Sequence, residues 1–180
     1  IILTMASMSF YVLLHLQFRY PDVNDATENW WAGMRSLGDV AMSCPASYAA
    51  SKVYEQQPVY QYFFQHVTKY ANKNEGLVIH VSELPFVLHL ENIFANIKDR
   101  KMSDIMASYW ANFLLSADGN PNENHVGANH LPEWPQYTSV NPSVLSIVDY
   151  DNIKPEQGVK KAECDFWVPF IDTAIRAAFE

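Results

Sequence analysis

Pro58-Val59-Tyr60-Gln61-Tyr62-Phe63-Phe64-Gln65-His66-Val67 is the stretch that decides the fold class. Aromatic and β-branched residues dominate it, and its proline stands at the first position, where a strand tolerates a missing N–H. Side chains alternate across a strand, so Tyr60, Tyr62 and Phe64 share one face, and Val59, Phe63 and Val67 the other. A strand that is apolar on both faces belongs in a sheet covered on both sides. That predicts an α/β architecture.

Downstream, Asn72-Lys73-Asn74-Glu75-Gly76 reads as a turn, and Gly76-Leu77-Val78-Ile79-His80-Val81-Ser82-Glu83-Leu84-Pro85-Phe86-Val87-Leu88 follows it. His80 comes directly after a strand-like apolar run. From periodicity it is either a hydrogen-bonded core histidine or a base on a loop leaving a sheet. Ser103 and Asp104 suit the start of a helix, with Ile105/Met106, Tyr109/Trp110 and Phe113/Leu114 making an apolar face. Asp118-Gly119-Asn120-Pro121 stops that helix, and residues 119–143 form a long polar loop. Val144 to Val148 is a short strand, and a last helix covers about Lys160 to Phe179.

Upstream, residues 25–53 read as helical, with Trp30 and Trp31 packing the segment down. Tyr11 to Tyr20 is helix or strand, ended by Pro21-Asp22. The first residues, Ile1-Ile2-Leu3-Thr4-Met5, carry neither an initiator methionine nor a charged leader, and they read as buried structure entered midway. The expectation is that the natural protein begins further upstream. No internal repeat or second domain is visible.

Composition narrows the function. The chain is 49% hydrophobic and 14% aromatic, enough to form a core rather than a disordered tail. A net charge of -8 argues against nucleic acid or an anionic membrane as partner. Lys98, Arg100 and Lys101 are the one tight basic group and suit a solvated helix end. No apolar run is long enough to span a membrane. Gly-rich phosphate loops, HExxH and paired-cysteine clusters are missing from the sequence, so neither cofactor nor metal is expected. The G-x-S-x-G nucleophile elbow is missing too. Cys44 and Cys164 are free thiols or a bonded pair; spacing alone leaves both open. No glycosylation sequon with an allowed middle residue occurs, since Pro142 follows Asn141.

Six fragments, in order, resemble the type-B carboxylesterases and cholinesterases, which are α/β-hydrolases. Gly38-Asp39 with Cys44-Pro45 resembles the family's G-D-x-x-x-x-C-P, and Pro58 to His66 its V-Y-x-Y-x-F-x-H strand. His80 to Val87 is similar to H-G-x-E-L-x-F-V-F. Tyr109-Trp110-Ala111-Asn112-Phe113 with Gly119-Asn120-Pro121-Asn122 resembles Y-W-x-x-F-A-x-x-G-x-P-N. Trp134-Pro135-Gln136-Tyr137 and Cys164-Asp165-Phe166-Trp167 match W-P-x-Y and C-x-F-W. Each is weak alone; together, between Gly38 and Trp167, they are specific.

The resemblance implies that 1–180 is the C-terminal portion of one α/β-hydrolase domain, truncated on its N-terminal side. His80 falls on the catalytic histidine, which takes a proton from the nucleophilic serine and returns it to the leaving alcohol. In this fold the triad order is serine, acid, histidine, so the serine and the acid would precede Ile1. Glu83 falls on an acidic position beside the histidine and is expected to support it from behind. His66 matches a strand-end histidine of structural role. Cys44 and Cys164 fall on positions bridged in cholinesterase-type members, which implies a disulfide and a secretory origin. The implied partners are a small ester substrate and the N-terminal remainder of the same domain, with a homo-oligomer left open. One departure stands out: the glycine that usually follows the histidine is Val81 here. Val81 keeps a second reading open, a cholinesterase-like binding or structural protein that has lost catalysis.

Overall fold

The computed structural model describes residues 20, 26–67, 78–94, 96–127 and 130–179. The expectations for Tyr11 to Pro21 and for the turn at Asn72–Gly76 fall outside them, apart from Tyr20. Contacts divide the chain into two compact units, Ile1–Ala49 with Lys160–Glu180, and Ala50–Val159.

The first unit is helical. Helix α1 spans Ala26–Gly38, a π-helical turn covers Asp39–Ser43, and α2 spans Cys44–Val53, its last residues passing into the second unit. Pro45 explains the widened turn. It has no N–H to give to the carbonyl of Ala41, and its ring crowds that carbonyl, so the backbone opens to a longer spacing that closes with Cys44 N–H on Asp39 O. The terminal helix α5 covers Lys161–Phe179. Cys44 and Cys164 are bonded, with Cα atoms 5.0 Å apart across 120 residues of chain. Beside the bridge, Asp39 is almost fully buried. It accepts from the Tyr20 hydroxyl at 2.8 Å and from Lys160 Nζ at 3.2 Å. Trp167 Nε1 donates to the same Tyr20 oxygen at 3.3 Å. Burial, helped by the Asp39 carboxylate, raises the Tyr20 phenol well above its ordinary range. Trp30, expected to pack inward, is 51% exposed and leans on Trp31 with ring centroids 5.3 Å apart.

The second unit holds a three-stranded sheet in the order β1–β2–β3. Strand β1 is Tyr62–Phe64, β2 is Ser143–Asp149 and β3 is Asn152–Gln157. β1 runs parallel to β2, with Tyr62 opposite Leu145 and Phe64 opposite Ile147; β2 and β3 form an antiparallel hairpin. The expected strand from Pro58 to Val67 therefore shrinks. Its neighbour on one side supplies ladder partners over a short span, with Leu145 N–H bonded to Gln61 O and Gln65 N–H to Ile147 O, both at 2.8 Å. β3 was not legible in the sequence. Lys154, Pro155 and Glu156 are poor strand formers, tolerated because β3 is an edge. Val78 and Ile79, expected to end a strand, are exposed and irregular.

Helix α4, Ile97–Leu115, covers one face of the sheet, and a short helix α3, Leu84–Val87, precedes it. The core between them contains Phe86, Phe94, Met102, Met106, Tyr109, Trp134, Leu145, Ile147 and Ile153. Burying each such side chain contributes about 1.5–3 kcal/mol. The start of α4 corrects the sequence reading. Asn96, not Ser103, caps it: Asn96 Oδ1 accepts from Asp99 N–H at 2.9 Å, satisfying an orphan donor of the first turn. Ser103 lies nearly two turns past that cap, fully buried, and donates to Phe86 O at 3.2 Å. The far end of the helix is also more open than expected, with Leu114 78% exposed.

Candidate active site

The site is built outward from a tight turn. Ser82 N–H donates to Ile79 O at 3.1 Å, which closes Ile79-His80-Val81-Ser82 as a β-turn with His80 and Val81 at its two central positions. His80 keeps a negative φ, while Val81 has φ 63°. A positive φ at the third position alone is the type II pattern, which glycine fills without strain. Val81 is not glycine. Its Cβ crowds the backbone in the left-handed region, and branching there adds to the cost, about 1–2 kcal/mol. Ser82 adds a second local cost: its hydroxyl is buried with no hydrogen-bond partner.

The structure downstream holds the turn in place. Leu84 N–H bonds Val81 O at 3.2 Å, and Phe86 and Val87 both donate to Glu83 O. Phe86 is fully buried, stacked on Phe94 at 4.5 Å and packed against Phe64 at 5.5 Å and edge-on to His66 at 5.3 Å. Glu83 is also held through its side chain, whose Oε1 accepts from the Tyr62 hydroxyl at 3.3 Å. Tyr62 lies on β1, with its ring edge-on to Trp110 at 5.1 Å and to Trp134 at 6.0 Å. Burial, with the Glu83 carboxylate beside it, pushes the Tyr62 phenol up to about 12.

His80 itself projects from this turn, exposed, and makes no hydrogen bond among the described residues. The packed-core alternative for it is therefore not what the structure has. His66 occupies that role instead. It is buried, with Nε2 2.8 Å from Asp99 Oδ1 and Nδ1 3.3 Å from Val148 O. Both ring nitrogens thus have partners inside the protein. Asn96 Nδ2 donates to the other Asp99 oxygen at 2.7 Å, so the pair is closed off from solvent chemistry. Two further histidines pair with carboxylates at the surface, His89 with Asp104 at 2.9 Å and His125 with Glu123. The described residues include no cluster of three or more metal-ligating side chains. Two surface depressions, about 370 and 470 Å³, are lined by residues of α4 and the loop after it, the second also by His89, and neither includes His80.

The carboxylesterase family model matches residues 7–167, most of the chain. The chain belongs to the carboxylesterase family. Among relatives, acetylcholinesterase 1 of Caenorhabditis elegans is 25% identical over 94% of the chain and 29% of its own length. The acetylcholinesterase of Electrophorus electricus is 31% identical over 77% of the chain and 22% of its own length. Bovine thyroglobulin is 31% identical over 57% of the chain and 4% of its own length. The chain thus spans less than a third of each of these relatives.

Within this carboxylesterase-family chain, sequence reasoning singled out the residues of the turn but missed what holds it. In the sequence Tyr62 shows only as one aromatic of a strand face, and nothing marks Asp99. The alternation of Tyr60, Tyr62 and Phe64 was the available signal for the first; nothing local gave the second, because its partner is 33 residues away. Val81→Gly is expected to stabilise the protein by about 0.5–1 kcal/mol, the relief of left-handed strain less the entropy of a more flexible unfolded chain. Denaturant midpoints measure this, and a midpoint lowered by the substitution would mean that Val81 is not strained.

Proposed function

We propose that the chain is the C-terminal part of a serine carboxylic-ester hydrolase, residues 1–180 completing a single α/β-hydrolase domain whose N-terminal remainder supplies the nucleophile, the oxyanion hole and the triad acid. The observation that carries the proposal is His80 on a tightly held, solvent-facing turn, in a chain of the carboxylesterase family. A general base needs a ring that can reach a substrate and a backbone that cannot wander, and this turn provides both.

The chemistry then runs in two halves. In the first, the serine hydroxyl attacks the ester carbonyl as His80 takes its proton. The tetrahedral intermediate collapses, the carbon–oxygen bond to the alcohol breaks, and His80 gives the proton to the departing oxygen. In the second, His80 takes a proton from water, hydroxide adds to the acyl-enzyme, and the serine leaves with the proton returned. Glu83 acts behind the histidine as a support of the turn rather than as the triad acid. The substrate is a small carboxylic ester.

Two features support the remainder of the domain as partner. Among the described residues β1 is hydrogen-bonded on one side only, leaving a sheet edge open. Around His80, the side chains of Val78, Ile79, Val81, Leu84, Leu88 and Leu90 are exposed, an apolar surface that suits burial by further chain. The Cys44–Cys164 bond favours an oxidising compartment, hence the secretory pathway. No described helix is long and apolar enough to cross a membrane.

The second reading is a binding or structural protein that keeps the fold without catalysis. Val81 in the left-handed region favours it, as does a relative, thyroglobulin, whose name is not that of a hydrolase. Mixing the full-length protein with a short-chain nitrophenyl ester separates the two. Hydrolase chemistry gives a burst of nitrophenol stoichiometric with protein, then steady turnover; no burst and no turnover leave the binding protein.

A further inference from the structure

The turn carrying His80 is held against two local costs, the left-handed φ of Val81 and the buried, unpartnered hydroxyl of Ser82. A conformation like this persists only where its surroundings over-determine it. Burial of Phe86 fixes the downstream end through α3. Nearer the histidine, the Tyr62 hydroxyl on Glu83 Oε1 connects the turn to a sheet strand through a side chain. We propose that Tyr62 is a positioning residue for His80, acting through Glu83. The inference rests on the catalytic reading of His80 for its consequence, but the tether itself stands on geometry alone.

The physical case has three parts. Tyr62 sits on β1, whose backbone is fixed by pairing with β2, so its hydroxyl is delivered from a rigid element. Its ring, 37% exposed, packs edge-on against both Trp110 and Trp134, which also touch each other, and Trp134 is itself pinned by Nε1–H on Gln61 O at 2.8 Å. Glu83 is the last residue before α3, and its own carbonyl receives the first amides of that helix, so holding its carboxylate restrains both the turn and the helix start. The bond is solvent-exposed and 3.3 Å long, so it counts as one ordinary hydrogen bond, enough to bias a strained segment without fixing it alone. Without it, the turn keeps its hydrophobic anchor at Phe86 and loses its tie beside the histidine.

Hydrogen exchange of the Ser82 and Leu84 amides in the full-length protein reads the tether directly, since both close the turn. Tyr62→Phe keeps the ring packing and removes only the hydroxyl. It is expected to speed exchange at these two amides about 5–10-fold, the loss of one ordinary hydrogen bond, with little change in the core of α4. Glu83→Ala should match it, the double variant should be no worse than either single one, and Glu83→Gln, whose amide oxygen still accepts, should stay near wild type. In steady-state hydrolysis, Tyr62→Phe should lower kcat about 10-fold with KM unchanged. Unchanged exchange in Tyr62→Phe overturns the tether. Faster exchange with unchanged kcat in an active enzyme overturns the positioning role. If wild type hydrolyses no ester, the catalytic reading falls, and the exchange result still decides whether Tyr62 holds the turn.

Discussion

His80→Ala in the full-length protein is expected to lower kcat/KM for a short-chain nitrophenyl ester by about 10³- to 10⁶-fold while leaving stability almost unchanged. The two halves of that expectation come from different facts. The ring is exposed and makes no hydrogen bond among the described residues, so removing it strips no core contact, and a surface substitution of this kind stays within about 0.5 kcal/mol. The kinetic half follows from the role. Without a base the serine hydroxyl must lose its proton to water, and the leaving alkoxide departs unprotonated. A 10³-fold loss corresponds to about 4 kcal/mol of transition-state stabilisation. Residual turnover near one-tenth of wild type would remove His80 from the proton transfers. A matching loss of His66 tests the contrast: His66→Ala removes a buried ring and one partner of the buried Asp99 carboxylate, and is expected to destabilise the protein by about 3–5 kcal/mol rather than to inactivate a folded one.

Replacing both Cys44 and Cys164 by alanine is expected to cost about 2–5 kcal/mol of stability. The bond closes a loop with a sequence separation of 120 residues, so it removes much of the freedom of the unfolded chain. It also joins the two stretches of sequence that make up the helical unit, tying the start of α2 to α5. The buried Asp39, held by Tyr20 and Lys160, lies in the π-helical turn that ends at Cys44, so loosening the bridge also loosens a buried charge from its partners. Denaturant titration of oxidised wild type against the double variant measures the difference. A loss under about 1 kcal/mol would place the stability of that unit in the Tyr20–Asp39–Lys160 network instead of the bridge.

Much of the architecture was legible because long periodic segments dominate it. The interior of α4 has the right apolar spacing, residues 25–53 and the terminal helix read as helical from their mixed polar and apolar residues, and the loop after α4 has its prolines and asparagines. What failed did so for local reasons. Ser103 resembles a helix cap, but Asn96 lies earlier with a free side chain and an amide in reach, and a helix extends to the first cap that satisfies it. Pro58 to Val67 has strand chemistry throughout, but a strand is only as long as its partner, and β2 meets it over Tyr62–Phe64. The edge strand β3 is set by its hairpin and not by its residues. At the candidate site, the segment that forms the turn of His80, Val81 and Glu83 stands out from its neighbours in sequence. The Tyr62–Glu83 tether and the His66–Asp99 pair were not, because each is made by residues brought together from distant parts of the chain.

The most direct measurement is labelling of the full-length protein with a fluorophosphonate, which bonds covalently to a serine only when a neighbouring base activates it. The expected result is one phosphonylated serine, mapped by mass spectrometry to sequence other than these 180 residues, with labelling abolished in His80→Ala and retained in His89→Ala. Labelling that survives the loss of His80, or wild type that takes no label, would contradict His80 as the base of an ester hydrolase.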